Sequence, residues 1–312
     1  MRPDARPAAL QVRKNMSRLL QVISASISFG TRFRGPVKPA DPLLYSRALL
    51  LQPLAGLWIG VLAAVPIIFV TSSFRGLQGL ILFASGIYLF LLEWLTRFDN
   101  LLAFDTACRM LAGTNVPPEE RLGRAGLPGF SPCTAILVGL KFLALYLVFM
   151  RTALFGDNLM LALTLVSVPF FGRITMLFCY PSGAGREQPE AREALRLLWV
   201  LLAMGLLALA LGMIRTYGGN FFSFRSMRLT MNGFRGSGAA AGVSPLIAVI
   251  SLGIQDAITF LAAGFLSVLY WNTEASKKLG FSPAPQFAGA VCETTELGAM
   301  IVFLILADDV IF

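Results

Sequence analysis

Histidine is absent from this 312-residue chain. That absence excludes a histidine general base and any His-ligated zinc, haem or copper site. Charge is scarce as well. Asp, Glu, Lys and Arg make up 14% of the residues, against about 25% in a typical soluble domain. Too few polar side chains remain to cover a water-facing surface. The four cysteines, Cys108, Cys133, Cys179 and Cys292, are scattered. None has the spacing of a metal site or a redox motif, and they read as small apolar residues. A cleavable signal peptide is not expected, because a long Arg-rich arm precedes the first apolar stretch.

What is present is apolar. Hydrophobic residues make up 56% of the chain, and the mean hydropathy is +0.71. Lipid is the solvent that suits such an outer face. The expected fold is an all-α integral membrane protein, a polytopic bundle of about seven transmembrane helices. Residues 1–48 read as a basic N-terminal arm with an amphipathic segment over Leu19–Phe33, and residues 49–312 as the transmembrane helical domain. Spans are expected near Leu49–Val70, Leu77–Leu95, Pro132–Met150, Leu159–Tyr180, Leu195–Ile214 and Phe287–Leu306. A longer segment, Ala241–Trp271, is tilted or broken near Gly253.

The net charge of +9 fits basic cytoplasmic loops and contact with anionic lipid. No aromatic–basic interleaving supports nucleic-acid binding. The basic arm places the N-terminus in the cytoplasm of a multi-pass protein of a bacterial inner membrane. Arg109, Arg121, Arg124, Arg186, Arg192, Lys277 and Lys278 then share that side. Arg215, Arg225, Arg228 and Arg235 fall outside in this scheme, which leaves a re-entrant segment or a different span count open.

Ionisable groups within or beside membrane spans are the strongest pointers to function. Glu293 and Glu296 are three apart and so share one helix face. They can hold a divalent cation or a cationic group, or form a pair bonded to lysine, arginine or water. Gly289 and Ala290 just before them permit close approach of another helix or a substrate. Asp99 and Asp105 follow the second expected span, with Glu93 inside its end. Asp105 with Thr106 offers oxygen ligands at the membrane surface, and a capping or loop role is the alternative. Arg124, Gly126 and Gly129 form an R-x-G-x-x-G string, suited to a phosphate or simply to a loop. Arg173 lies in an apolar stretch and needs a carboxylate, a phosphate or a route to the headgroups. Asp256 is a candidate partner.

Read together, these stretches resemble the cobalamin synthase family, the adenosylcobinamide-GDP ribazoletransferases. Pro53-Leu54-Ala55-Gly56-Leu57-Trp58-Ile59-Gly60 resembles the family's P-L-x-G-x-x-x-G signature, and Phe29–Phe33 its F-L-T-R stretch. Leu101–Arg109 is similar to the family's D-G-L-A-D-T-x-D-G, with Asp105 and Thr106 matching and Leu101, Cys108 and Arg109 departing. Leu122–Gly129 is similar to D-S-R-x-G-x-x-G without its aspartate and serine. Pro285–Glu296 resembles G-D-x-x-G-A-x-x-E-x-x-E, with Gln286 in place of the aspartate. Arg173, Tyr180, Gly183 and Gly185 resemble a fourth-span arginine and the turn beyond it.

The resemblance implies a membrane transferase that joins alpha-ribazole or its phosphate to adenosylcobinamide-GDP and releases GMP, with Mg2+ as cofactor. It assigns the metal to Asp105, Glu293 and Glu296, and the phosphates to Arg124, Gly126, Gly129 and Arg173. Its partners are a corrinoid, a nucleotide-like phosphate substrate and the lipid bilayer. The missing aspartates motivate an alternative, a non-catalytic relative that binds a corrinoid, a lipid or a partner protein, with a second copy or another membrane protein beside it. A transporter or channel is a third reading, motivated by Arg173, Asp256 and the long segment.

Overall fold

In hydrocarbon every backbone amide must find its partner within the protein, and an apolar run of about 20 residues does so as a helix. The computed structural model describes residues 6–29, 31, 33, 48–73, 78–112, 131–155, 158–179, 193–194, 196–202, 205, 258–259, 261–274, 277 and 287–308. Its main elements are α1 (Arg6–Phe29), α2 (Gln52–Ser73), α3 (Gln78–Leu95), α4 (Asp99–Ala112), α5 (Pro132–Phe155), α6 (Asn158–Met176) and α7 (Ala288–Asp308). Residues 261–274 are also helical. Among the described residues, four stretches are long and apolar enough to cross a membrane: Gln52–Thr71, Pro132–Met150, Leu161–Cys179 and Ala288–Ile305. Helices α3 and α4 together make a fifth if a pair bent by 85° counts as one span.

The basic arm and the amphipathic segment, expected as separate pieces, are one helix from Arg6 onward. The polar stretch after the second span is likewise helical as far as Ala112. The bend between α3 and α4 has a local cause. Arg97 and Phe98 both take positive φ, 59° and 61°. The Phe98 amide donates to the Glu93 carbonyl at 2.8 Å and the Arg97 amide to that of Trp94 at 3.1 Å. This pair of bonds is a Schellman closure, usually made with glycine in the left-handed position. Glu93 is thereby fixed at the last turn of α3.

Helix α2 packs most intimately on α6. A Cβ on Gly56 would lie 2.6 Å from the Pro169 carbonyl oxygen, and one on Gly60 would lie 2.7 Å from that of Val166. The G-x-x-x-G pair therefore serves a close helix crossing. Ile59, Ala63, Tyr88, Leu92, Leu145, Leu165 and Phe303 are buried at the centre of the bundle. On α5, Ile136, Leu140, Leu143 and Leu147 form an exposed stripe, the side suited to lipid. The opposite stripe, Thr134, Leu137, Lys141, Ala144 and Val148, is buried.

The chain direction places five helix ends on one face. Helices α3 and α6 run toward it, and α2, α5 and α7 start from it, as the Arg173–Gln52 and Lys141–Glu293 contacts require. Helix α4 lies across the starts of α5 and α7. A Cβ on Gly289 would come 2.5 Å from that of Ala103 and 3.2 Å from the Asn100 Cα, so α4 crosses α7 at its small residues.

Candidate functional site

The buried side of α5 carries the only lysine of its span, and this lysine organises the interior. Lys141 is 0% exposed. It lies about 14 Å along the helix from Pro132 at the usual rise of about 1.5 Å per residue. Its Nζ donates to Glu293 Oε2 at 2.6 Å, to Glu296 Oε2 at 2.7 Å and to Glu93 Oε1 at 3.1 Å. An ammonium has three donors, and all three are used here. The three glutamates, from α3 and α7, are themselves 4%, 1% and 2% exposed.

Smaller groups hold this centre in place. Glu296 Oε1 accepts from the Cys292 thiol at 3.6 Å, and Asn100 of α4 donates to the same sulfur at 3.5 Å. A Cβ on Gly172 would lie 2.8 Å from both Glu296 Cγ and Cys292 Sγ, so the bare backbone of α6 makes room for the carboxylate. Tyr88 donates to the Leu165 carbonyl at 2.5 Å. Arg173 is also buried, and its Nη1 donates to Gln52 Oε1 at 2.9 Å. Gln52 in turn donates to the Ser26 carbonyl at 3.2 Å, linking α6 through α2 to α1. Thr175 donates to Thr295 at 3.0 Å.

Asp105 is held by a different set of groups. Its Oδ1 accepts from the Ser131 amide at 2.5 Å and the Thr134 hydroxyl at 2.7 Å. Its Oδ2 accepts from Arg109 Nε at 2.7 Å. Ser131 is the N-cap of α5 with Pro132 after it, a favoured start. Asp105 thus anchors the α5 N-terminus to α4. Thr106 donates to its own helix at the Leu102 carbonyl, 2.8 Å away.

Of the residues the resemblance assigns to the site, Glu293 and Glu296 meet each other on Lys141, Arg173 lies beside Gln52, and Asp105 is engaged with the start of α5. Arg124, Gly126 and Gly129 lie outside the described residues, as do Tyr180, Gly183, Gly185 and Asp256. Lys141 was not singled out by the sequence reading, and Glu93 was noted without a role. The available signal was the register of α5. A lone lysine in phase with Leu137, Ala144 and Val148, and out of phase with the Ile136–Leu147 stripe, is directed inward.

Glu93, Glu293 and Glu296 can each offer an oxygen within 4.8 Å of the others. Three carboxylates of this kind can chelate a divalent cation, and their hard oxygens suit magnesium and calcium alike. The donors fit a metal; the space between them is taken by the Lys141 ammonium. A separate apolar groove of about 490 Å³ is lined by Ile174, Phe178, Leu197, Val200 and Phe265, with the Glu193–Arg196 pair at its edge. Comparison with family models, curated proteins and solved structures finds no match for the chain.

Proposed function

We propose that this chain is a non-catalytic membrane protein on a scaffold resembling the ribazoletransferases, one that binds a corrinoid, a lipid or a partner protein. In this reading it has about seven spans, and the face crossed by α4 is cytoplasmic in a bacterial inner membrane. The observation that carries it is the Lys141 ammonium between Glu93, Glu293 and Glu296. A metal-dependent phosphoryl transfer needs a cation with open positions for phosphate oxygens. Lys141 supplies the positive charge, but its three donors are already taken. Asp105 supports the same reading, since both of its oxygens hold structural partners.

The test uses the full chain in proteoliposomes with adenosylcobinamide-GDP, alpha-ribazole phosphate and MgCl2. GMP release no greater than from empty liposomes is expected, and magnesium is expected to leave the thermal midpoint unchanged. GMP release that disappears in Glu293→Gln/Glu296→Gln would restore the transferase. Native mass spectrometry of the purified protein then identifies which of the three ligand classes travels with it.

A further inference from the structure

The four cysteines are all free, and along the sequence they are scattered. The fold brings two of them together. Cys108 follows Asp105 by three residues on α4, so the two side chains share one helix face. Asp105 accepts from the Ser131 amide at 2.5 Å and the Thr134 hydroxyl at 2.7 Å. Cys133 lies between those two residues, in the first turn of α5. The Asp105 anchor therefore sets Cys108 beside Cys133, and the two thiols hydrogen-bond to each other.

Their surroundings differ. Cys133 is exposed and Cys108 is half-buried, packed against the cluster of Leu101, Phe104 and Trp271. Cys133 is the second residue of its apolar span, so it stands at the edge of the hydrocarbon, where reagents dissolved in water reach. Cys179 and Cys292 are shut away at 2% and 0% exposure. An accessible thiol beside a second, partly covered one is the arrangement in which the first exchanges with a disulfide and the second resolves it.

We propose that Cys108 and Cys133 form a thiol–disulfide exchange site, which small-molecule disulfides of the glutathione class convert to an intramolecular bond tying α4 to the start of α5. Cys133 gives its proton to water and attacks one sulfur of glutathione disulfide. The S–S bond of that molecule breaks, and one glutathione leaves as a thiolate that takes up a proton. Cys108 then loses its proton and attacks the Cys133 sulfur, releasing the second glutathione. Two electrons and two protons pass from the cysteines to the glutathione disulfide, which becomes two thiols. The new bond closes the junction that Asp105 holds with hydrogen bonds alone. On the cytoplasmic face proposed above, where glutathione keeps thiols reduced, it forms transiently and reports oxidation; the exchange itself does not depend on that placement or on a bound ligand.

The experiment equilibrates the full chain in phosphatidylcholine nanodiscs with glutathione buffers of rising disulfide content. Remaining thiols are then blocked with N-ethylmaleimide, and tryptic peptides are read by mass spectrometry. Peptides 98–109 and 125–141, each holding one cysteine, should appear joined, saturably and reversibly with dithiothreitol. Cys108→Ser should stop at a persistent glutathione adduct on Cys133. Should that variant not fold, Cys133→Ser, at the exposed position, gives the second reading: no joined peptide and no redox dependence of hydrogen exchange. In the wild type, exchange over residues 133–135 should slow roughly tenfold or more on oxidation, as a cross-link at this junction requires. Three results would overturn the proposal: glutathione adducts without a joined peptide in the wild type, a disulfide formed between two copies instead of within one, or exchange in the first turn of α5 that is equal in the two redox states.

Discussion

Replacing Lys141 by methionine keeps the length and apolar stem of the side chain and removes its charge. Three hydrogen-bonded ion pairs, at 2.6, 2.7 and 3.1 Å, disappear together, and three buried carboxylates lose their common partner. Removing one member of a buried pair costs about 3–5 kcal/mol. Here one ammonium serves three acids, so the loss should reach the top of that range. Against a total stability of about 5–15 kcal/mol, such a change is close to unfolding the bundle. The assay is SDS-driven unfolding of the full chain in mixed micelles, followed by tryptophan fluorescence. Adding Glu93→Gln and Glu293→Gln to Lys141→Met removes two of the stranded charges and should recover most of the loss, because a buried ionic group replaced as a whole is often near neutral. Lys141→Arg should not substitute, since a planar guanidinium cannot aim three donors as an ammonium does. A cost for Lys141→Met below about 1 kcal/mol, the range of exposed pairs, would refute the reasoning, as would failure of the glutamine changes to rescue it.

Gly56→Ala should cost about 1–3 kcal/mol, as overpacking does, because its Cβ would meet the Pro169 carbonyl at 2.6 Å and the Phe170 Cα at 3.0 Å. Gly139→Ala, with nothing within 4 Å, should instead stabilise by roughly 0.5–1 kcal/mol in the same SDS titration. Arg97→Gly should stabilise the chain by about 1 kcal/mol, since Arg97 holds φ at 59° where an L side chain is strained; a loss of stability would show that the arginine side chain is needed there. Asp105→Ala should lower stability by about 1–3 kcal/mol, through unsatisfied partners, and speed hydrogen exchange at the first turn of α5. If it instead removes magnesium binding while exchange at Ser131–Ala135 stays slow, the anchoring role is wrong.

The parts of this architecture that are local in sequence are legible there. Apolar runs mark α2, α3, α5, α6 and α7 to within a few residues, since length and hydropathy alone decide which segments suit a bilayer. The shared face of Glu293 and Glu296 follows from helical spacing. A cationic partner for them was one of two open readings, and the lysine that fills it comes from 152 residues upstream. That separation hid Lys141, because a lone charge in an apolar run is equally compatible with a side chain reaching for the headgroups. The bend at Arg97 and Phe98 was hidden for another reason: neither residue is glycine or proline, the usual markers of such a turn. The family pattern drew Asp105 toward a metal, whereas Arg109 one turn later, at the i,i+4 spacing of an ion pair, points to the partner it has.

The lysine also limits what this interior can do. A divalent ion in an oxygen site commonly keeps water or substrate oxygens among its ligands, and through those positions it brings a phosphate and a nucleophile together. An ammonium contributes one charge and three donors, and once those donors are satisfied it attracts nothing further with any direction. Lys141 therefore does for the fold what a metal would do, joining α5 to the acids of α3 and α7. It is covalently held, so it loses no translational entropy on binding and cannot be removed by a chelator.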